Sequence, residues 1–401
     1  MKHKNAAYID SDAIVHNYET INRLTAESAL ARGGNAPTVI CVVKADAYGH
    51  GIAATADALG AAGCGFFAVS SEEEADELRQ IEKANGRHPE ILILSRVNPD
   101  NVGDMIEDDI TCTLVSEENA REIADAAQKY RSEHRDAGRL KVHIKLDTGM
   151  NRVGFGTAGE LAERTADAAV WIARDENLRL CGVFTHFSCA DDELMDGRLV
   201  DGYDGGYTMM QLERYKAVVG MMRERGVDPG ICHAANSAAI LKLPEAYFDA
   251  VRAGVILYGL MPNGEIDRRF LPVMKFTSTV THIHSLKKGE RISYGATFEA
   301  ERDMTVATVA AGYADGFLRS YSGCDVTVNG KKFRQVGRIC MDQFMIDITG
   351  DATVAAGDEV TLFGGDDGVM INSLARRAGT INYEIVCTVS KRVTRVLVKN
   401  E

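Results

Sequence analysis

The chain has 401 residues, 45% of them hydrophobic, and a formal net charge of −13 at pH 7. That length predicts two domains or one large barrel with an added module, and the apolar share is ample for packed cores. The negative charge argues against a nucleic-acid partner, and the absence of an apolar run near about twenty residues argues against a membrane span. No secretion-signal pattern opens the chain, and its nine cysteines form no C-x-x-C pair, so we expect a cytoplasmic protein.

Eight short apolar runs, each typical of a buried parallel strand, occur before residue 260. Most are followed by an amphipathic helical pattern, as at Glu118–Tyr130 and Met209–Met222, and one helix is expected ahead of them at Ser11–Ala26. Ser71, with Glu74 three residues later, predicts a capping box. The runs are Thr38–Val43, Gly65–Ser70, Ile91–Ser95, Ile110–Val115, Val142–Asp147, Leu180–His186, Ile231–Ala235 and Ala250–Ile256. Eight such βα units in roughly 250 residues predict a (β/α)8 TIM-like barrel.

The sequence changes character after about residue 270, where short alternating runs are separated by turn signals. Asn329-Gly330 between two of these runs predicts a β-hairpin. The runs are Phe276–Ser285, Thr305–Ala310, Asp325–Val328, Lys332–Val336, Met345–Ile348 and Glu359–Leu362. We therefore expect an α/β barrel domain at residues 1–269 and a mostly β domain at 270–401. The residues up to about Ile9 could join the β domain instead.

The most informative segment is Val42-Val43-Lys44-Ala45-Asp46-Ala47-Tyr48-Gly49-His50-Gly51, directly after the first predicted strand. A lysine at the carboxyl end of a barrel strand points toward the edge where barrel active sites form. Burial lets such an amine lose its proton near neutral pH and form a Schiff base, although a strand-end lysine can also simply reach solvent. The segment resembles the pyridoxal-phosphate attachment segment of the alanine racemase family. Further motifs match that family in order over about residues 36 to 390.

A second dense motif is Val142-His143-Ile144-Lys145-Leu146-Asp147-Thr148-Gly149-Met150-Asn151-Arg152-Val153-Gly154-Phe155. Arg152 could pair with a carboxylate through two hydrogen bonds, or it could be a solvated surface arginine. The resemblance implies that Arg152 contacts the cofactor's phenolic oxygen and the substrate carboxylate. It also implies that Lys145 orients Arg152 and is carbamylated in some family members.

The loops after the seventh and eighth strands are where barrels commonly bind phosphate. Asn236 opens a short helical pattern there, and Ser237, Gly254 and the Val255 amide are suitable donors. The resemblance implies that these residues hold the cofactor phosphate, with hydroxyl groups added by Tyr48 and Tyr383.

Arg252 decides the chemistry that we expect. A pyridoxal ring nitrogen that faces a guanidinium stays neutral, so the substrate carbanion is less delocalised and reprotonation at its α-carbon is favoured. His186, which ends the sixth predicted strand, resembles the family residue that supports Arg252. Ala253 stands where the family usually has proline, which removes no functional group.

A third motif, Arg291-Ile292-Ser293-Tyr294-Gly295-Ala296-Thr297-Phe298, lies in the β domain. Racemisation needs bases on opposite faces of the α-carbon, and Tyr294 could face Lys44 if positive neighbours lowered its pKa. In the family, this tyrosine and the backbone amide at Met341 reach the site from the partner subunit. The resemblance thus implies a homodimer with shared sites, in which Met341 and Tyr383 limit the substrate to a small side chain.

We therefore expect a pyridoxal-5′-phosphate-dependent racemase that interconverts L-alanine and D-alanine, by family analogy for peptidoglycan synthesis. A racemase of serine or of broad specificity would keep the same catalytic residues. A decarboxylase would place an acid where Arg252 stands, and a non-catalytic pyridoxal-phosphate-binding protein would lack the second domain. No metal site is expected, because His282 and His284 have no third ligand at a plausible spacing.

Overall fold

The computed structural model describes residues 5–191, 206–365 and 368–399. These residues form two compact units. The barrel unit comprises Tyr18–Ala45 and Ala56–Gly254, and the β unit comprises the residues up to Asn17, Asp46–Thr55 and the chain from Val255 onward. The domain boundary that we place between residues 269 and 270 stays a prediction. No helix in the described ranges combines the length and the apolar character that crossing a bilayer requires.

The secondary-structure elements alternate along the first two thirds of the chain and become mostly strands after that. The strands are β1 Ala6–Asp10, β2 Thr38–Val42, β3 Phe66–Val69, β4 Glu90–Arg96, β5 Thr111–Leu114, β6 Leu140–Asp147, β7 Phe155–Gly156, β8 Leu178–Phe184, β9 Ile231–His233, β10 Ala250–Ala253, β11 Met274–Leu286, β12 Arg291–Ile292, β13 Phe298–Glu299, β14 Met304–Val309, β15 Asp325–Val328, β16 Lys331–Val336, β17 Phe344–Asp347, β18 Glu359–Phe363 and β19 Thr394–Val398. The α-helices are α1 Ser11–Ala31, α2 Lys44–Tyr48, α3 Ile52–Ala61, α4 Glu72–Ala84, α5 Val102–Glu107, α6 Glu117–Glu133, α7 Glu160–Arg174, α8 Gly206–Glu224, α9 Ser237–Lys242, α10 Val369–Ala378 and α11 Asn382–Cys387. Short 3-10 helices occur at Pro99–Asn101, Pro244–Ala246, Val255–Tyr258, Tyr294–Ala296, Tyr313–Asp315 and Arg319–Tyr321.

Eight parallel strands of the barrel unit pair in a closed ring. The order is β2, β3, β4, β5, β6, β8, β9 and β10, and β10 pairs again with β2. Each strand overlaps one of the eight predicted runs, so the predicted TIM-like barrel is confirmed. Three predicted ends lie two or more residues too far along the chain. The sixth strand stops at Phe184, before His186, and the seventh stops at His233, before Ala235. The eighth stops at Ala253, because Val255–Tyr258 forms a 3-10 helix.

The predicted capping box at α4 is half right. The Ser71 side chain accepts a hydrogen bond from the Glu74 amide at 3.3 Å, as expected of an N-cap. The Glu74 carboxylate, however, does not return to the Ser71 amide. Its oxygens accept from the Ser70 amide at 2.7 Å and from the Ala45 amide at 2.6 Å, which ties the start of this helix to the end of β2.

Six antiparallel strands of the β unit also close into a ring. They follow the order β11, β14, β17, β16, β15 and β18, and β18 pairs back with β11. β1 adds to β11, and β19 adds to β1. The predicted hairpin is confirmed, since Val328 pairs with Lys331 and both Asn329 and Gly330 have positive φ, as a type I′ turn requires. The sequence did not predict α10, α11 or β19.

Candidate active site

Lys44 lies at the carboxyl end of β2, where the backbone passes from the extended to the left-handed conformation. The Val43 amide still donates to the Ala68 carbonyl at 2.9 Å, in step with the parallel ladder. The next four residues, Ala45–Tyr48, all have φ between 53° and 55° although none is glycine. Each such residue costs roughly 1–2 kcal/mol, and strain of this kind is retained where surrounding contacts impose it, often at functional sites. The half-buried Lys44 is therefore displayed on a strained turn.

A tight loop after β6 carries Arg152. One Asp147 carboxylate oxygen accepts from the Gly149 amide at 3.0 Å and from the Asn151 amide at 2.9 Å. Gly154 has φ 136°, and a Cβ there would lie 2.7 Å from the Asp147 nitrogen, so this position requires glycine. The loop folds back onto its own strand and leaves Arg152 exposed to solvent.

Positive charge is concentrated at this end of the barrel. Lys145 is 4% exposed, and its burial, reinforced by the charges of Arg152 and Arg252, lowers its pKa to about 8. Burial and the same cations, together with Lys44, hold the pKa of His186 well below its usual range. His186 is therefore neutral at physiological pH, while the surrounding cations favour an anionic ligand.

Arg252 is bound to the barrel interior through four of its five N–H groups. Nη1 donates to His233 Nδ1 at 2.7 Å and to the His233 carbonyl at 3.0 Å. Nη2 donates to the Thr185 carbonyl at 2.6 Å and to the Ala234 carbonyl at 2.8 Å. Arginine has five N–H donors, and within residues 5–191, 206–365 and 368–399 the Nε–H group has no hydrogen-bond partner, so it is available to a ligand. Arg252 is 3% exposed, and although burial lowers its pKa to about 10, it stays charged at neutral pH.

Two buried histidines extend this arrangement across the barrel. Since the guanidinium can only donate, His233 must accept at Nδ1 and carry its proton on Nε2. That proton is donated to His143 Nδ1, 3.1 Å away. Burial lowers the pKa of His143 to about 3, so the pair is neutral. Gly182 makes room for it, because a Cβ there would lie 2.4 Å from the His143 ring.

The structure adds a partner of Arg252 that the sequence did not predict, because the hydrogen bond from Nη1 goes to His233. His186 lies close enough to Arg252 for its charge to lower the pKa of that histidine, and support of Arg252 by His186 stays a prediction. Sequence reasoning missed both His143 and His233. One signal was present: His143 lies two residues before Lys145 in the quoted motif, and residues at that spacing share one face of a strand.

The loops after β9 and β10 meet at Ser237. Asn236 is the N-cap of α9 and accepts from the Ala239 amide at 3.1 Å. The Gly254 amide, which we expected to bind phosphate directly, donates to the Ser237 hydroxyl oxygen at 3.0 Å. Ser237 accepts there, so its own O–H can donate to an anion. Val255 opens the following 3-10 helix.

Tyr48 and Tyr383 lie together in the β unit. Their ring centres are 6.2 Å apart, and Tyr258 packs 5.0 Å from Tyr48. Burial raises the pKa of Tyr48, which keeps its hydroxyl protonated and able to donate. The carbonyl of Gly49, next in the chain, accepts from Arg395 Nε at 3.0 Å and Nη2 at 2.9 Å. The two hydroxyl-bearing rings expected near the phosphate are thus neighbours.

Tyr294 and Met341 line one open groove of about 730 Å³ in the β unit. Tyr294 is 68% exposed and Met341 is 53% exposed. The Met341 carbonyl accepts from the Ala314 amide at 3.0 Å, and the Ser293 hydroxyl donates to the Arg338 carbonyl at 2.7 Å. These bonds hold the backbone next to both residues, whose exposed side chains line the same groove.

Comparison with known proteins assigns the chain to a family. Residues 9–262 match the N-terminal domain model of alanine racemase, and residues 273–397 match the C-terminal domain model. The chain belongs to the alanine racemase family. It is 38% identical to an alanine racemase of Desulforamulus reducens over 99% of this chain and all of the relative. Identity to alanine racemase 1 of Bacillus subtilis is also 38%, over 98% of this chain and 93% of the relative.

Solved structures of the alanine racemase family share the fold along the whole chain. The Clostridium difficile 630 enzyme superposes with a TM-score of 0.86 at 35% identity, covering 100% of this chain and 97% of that one. A Bacillus anthracis alanine racemase with bound L-Ala-P superposes with a TM-score of 0.83 at 33% identity, covering 100% and 96%.

The alanine racemase family depends on pyridoxal 5′-phosphate, and the residues of this chain fit that cofactor. Lys44 supplies an amine for its aldehyde, and Ser237 offers a hydroxyl donor for its phosphate. The Nε–H group of Arg252 is a single donor that makes no bond to the described residues, and such a donor suits a neutral pyridine nitrogen. Cationic groups around Lys145 suit the anionic oxygens of the cofactor and of an amino acid. Assignment of individual roles to these residues stays a prediction.

Proposed function

We propose that this chain interconverts L-alanine and D-alanine, with Lys44 and Tyr294 as the two bases. When bound, pyridoxal phosphate withdraws electrons from the amino acid's α-carbon and so acidifies its proton. The observation that carries the proposal is the bonding of Arg252. Four of its N–H groups are hydrogen-bonded to the barrel, so the guanidinium is held in place. A guanidinium, not a carboxylate, would therefore face the ring nitrogen. That choice favours return of a proton to the α-carbon over decarboxylation or transamination.

Two bases are needed because racemisation removes a proton from one face of the α-carbon and adds one to the other. Lys44 Nζ serves one face, and by family stereochemistry it exchanges the proton of the D-enantiomer. The Tyr294 hydroxyl serves the L-enantiomer. Tyr294 is exposed beside Met341, which supports delivery of both residues to the site of a partner subunit in a homodimer.

Substrate binding rests on the charged groups that surround Lys44. Arg152 binds the carboxylate of the amino acid, and the Met341 amide of the partner adds a second donor. Lys145 orients Arg152 and is a candidate for carbamylation, because its lowered pKa gives a neutral amine that can react with carbon dioxide. Ser237, Val255 and the hydroxyls of Tyr48 and Tyr383 bind the cofactor phosphate.

Tyr383 and Met341 favour a methyl side chain, so alanine is the preferred substrate. A racemase that accepts serine equally is the second candidate, since the same bases would serve it. We further propose a cytoplasmic location, consistent with nine free thiols, and a role in supplying D-alanine for peptidoglycan.

Cofactor attachment tests the chemistry directly. Borohydride reduction of the protein loaded with pyridoxal phosphate should add the cofactor's mass to the peptide that contains Lys44. Lys44→Ala should abolish that adduct and all racemisation, whereas Lys332→Ala, at an exposed lysine of the β unit, should change neither. An adduct at another lysine would contradict the assignment. Initial rates with L-alanine and L-serine on one preparation then decide the specificity, and comparable rates would favour the broader racemase.

Subunit mixing tests the shared site. Lys44→Ala and Tyr294→Phe homodimers should each be nearly inactive in the L-to-D direction. A heterodimer of the two contains one site with both bases intact. Unfolding and refolding an equal mixture should therefore recover about a quarter of wild-type activity, since half the dimers are mixed and each has one good site. No recovery, with dimers present by light scattering, would contradict sharing.

A further inference from the structure

We infer that Glu74 is a positioning residue for Lys44, a role that rests on the proposed function of that lysine. Glu74 lies in the first turn of α4, in the motif that predicted a capping box. The structure uses its carboxylate differently, as a bridge between the ends of β2 and β3. Both strands belong to the barrel unit, and Lys44 directly precedes one of the two bridged residues.

The bridge takes the place of the next ladder rung. In a parallel pair, successive amides of one strand bond to every second residue of its neighbour. The Val43 amide obeys that rule by donating to the Ala68 carbonyl. Two residues further on, the Ala45 amide donates to one Glu74 oxygen at 2.6 Å, and the Ser70 amide donates to the other at 2.7 Å. Pairing between β2 and β3 therefore stops at Lys44, and the Glu74 side chain takes the place of the next backbone hydrogen bond.

A carboxylate suits this position because two donors converge on it. Each oxygen accepts one amide, and hydrogen bonds to a charged acceptor are shorter and stronger than neutral ones. The start of a helix also favours a negative charge, so the same carboxylate gains from the α4 dipole. In a glutamine, an NH2 group would replace one of these two oxygens, so one backbone amide would face another donor.

The bridge ends where the unusual backbone begins. Ala45 is the first of four consecutive left-handed residues that follow Lys44. Such a run relaxes to an ordinary conformation unless contacts define it, and Glu74 fixes its first amide. Losing the bridge would let Ala45 leave the left-handed region. Lys44, attached to it, would then lose the direction in which its amine is presented.

Cofactor attachment separates positioning from simple stability. In Glu74→Ala, pyridoxal phosphate should still bind with an affinity close to that of the wild type, because the phosphate donors are untouched. The rate at which it becomes reducible by borohydride on Lys44 should fall about tenfold or more, because the Ala45 amide next to Lys44 is no longer fixed. Glu74→Gln should fall in between. Glu73→Ala, the neighbouring glutamate in the same helical turn, is the matched control and should attach at the wild-type rate.

Hydrogen exchange gives a readout that needs no cofactor. Deuterium uptake in peptides that cover residues 43–48 should quicken about tenfold in Glu74→Gln and should stay unchanged in Glu73→Ala. If Glu74→Ala does not fold, the Gln variant still decides the matter. Attachment and exchange rates in Glu74→Gln equal to those of Glu73→Ala would overturn the inference. Absence of attachment to Lys44 in the wild type would overturn the proposed function instead.

Discussion

Replacing His233 with phenylalanine should weaken the barrel unit by about 3 kcal/mol. Phenylalanine keeps the stacking on Phe184, whose ring centre is 4.9 Å away and tilted by only 5°. It removes the acceptor of a buried, charged Arg252 donor, which costs about 2 kcal/mol, and the donor to His143, which costs about 1 kcal/mol. The loss arises from unsatisfied polar groups, since ring size and burial are conserved.

The assay uses the single tryptophan of the chain. Trp171 lies on α7 in the barrel unit, beneath the Arg121 guanidinium at 4.7 Å, so its fluorescence follows unfolding of that unit alone. Urea titrations of the cofactor-free protein at pH 8 give the free energy of unfolding. His143→Phe is the matched control, because it breaks the bond between the two histidines and leaves Arg252 its acceptor. It should cost about 1 kcal/mol.

If the two variants lose the same free energy of unfolding, the hydrogen bond from Arg252 to His233 contributes nothing to stability. The conclusion that this bond leaves only the Nε–H group of Arg252 for a ligand would then be wrong. If His233→Phe alone is strongly destabilised, its racemisation rate should also fall by at least about tenfold, because Arg252 is no longer held.

Three further outcomes are expected. Gly182→Ala should lower the free energy of unfolding by several kcal/mol, because the added Cβ would lie 2.4 Å from the buried His143 ring. Thermal unfolding checks this, and a melting temperature lowered by only about one degree would contradict it. Burial lowers the pKa of His143 from 6.5 to about 3, so its contribution to stability is complete above pH 6.5 and is lost as the pH falls, at about 1.4 kcal/mol per pH unit. The free energy of unfolding of His143→Phe should therefore depend less on pH between 6.5 and 3. An unchanged pH dependence would argue against a neutral buried ring. The pKa of Lys145 is about 8, so a carbamate at Lys145 should increase from pH 7 to 9; 13C NMR in labelled bicarbonate checks this, with Lys145→Met as the blank.

The barrel was predictable because its strands are buried on both faces and appear as uninterrupted apolar runs. Strand ends were harder to predict. The run Ala250–Ile256 is apolar throughout, yet the strand stops at Ala253, since apolar residues fill the following 3-10 helix as readily. α10 and α11 were missed for a related reason. They interrupt a part of the chain whose alternating pattern favours strands.

The candidate site residues that the sequence could suggest lie in contiguous motifs. Lys44, Arg152 and Arg252 are examples, and their neighbours in sequence form the strand ends and loops that carry them. The pair His143 and His233 was not predictable in this way. Its members are 90 residues apart on strands that do not pair, so their contact depends on the register and closure of the barrel. Glu74 was found by sequence but given the wrong partner, since helix capping is local and the bridge to Ala45 is not.

The pairing of β1 has a consequence for the order in which the chain folds. β1 is made before all other strands of the described residues, but its partners β11 and β19 begin at Met274 and Thr394. During synthesis, this strand must wait unpaired while most of the remaining chain emerges, including every strand of the barrel ring. Contacts at such long sequence separation form slowly, and an unpaired apolar strand is prone to pair with other chains. Expression at low temperature, or with a chaperone that covers exposed strands, should therefore raise the yield more than stabilising the barrel would.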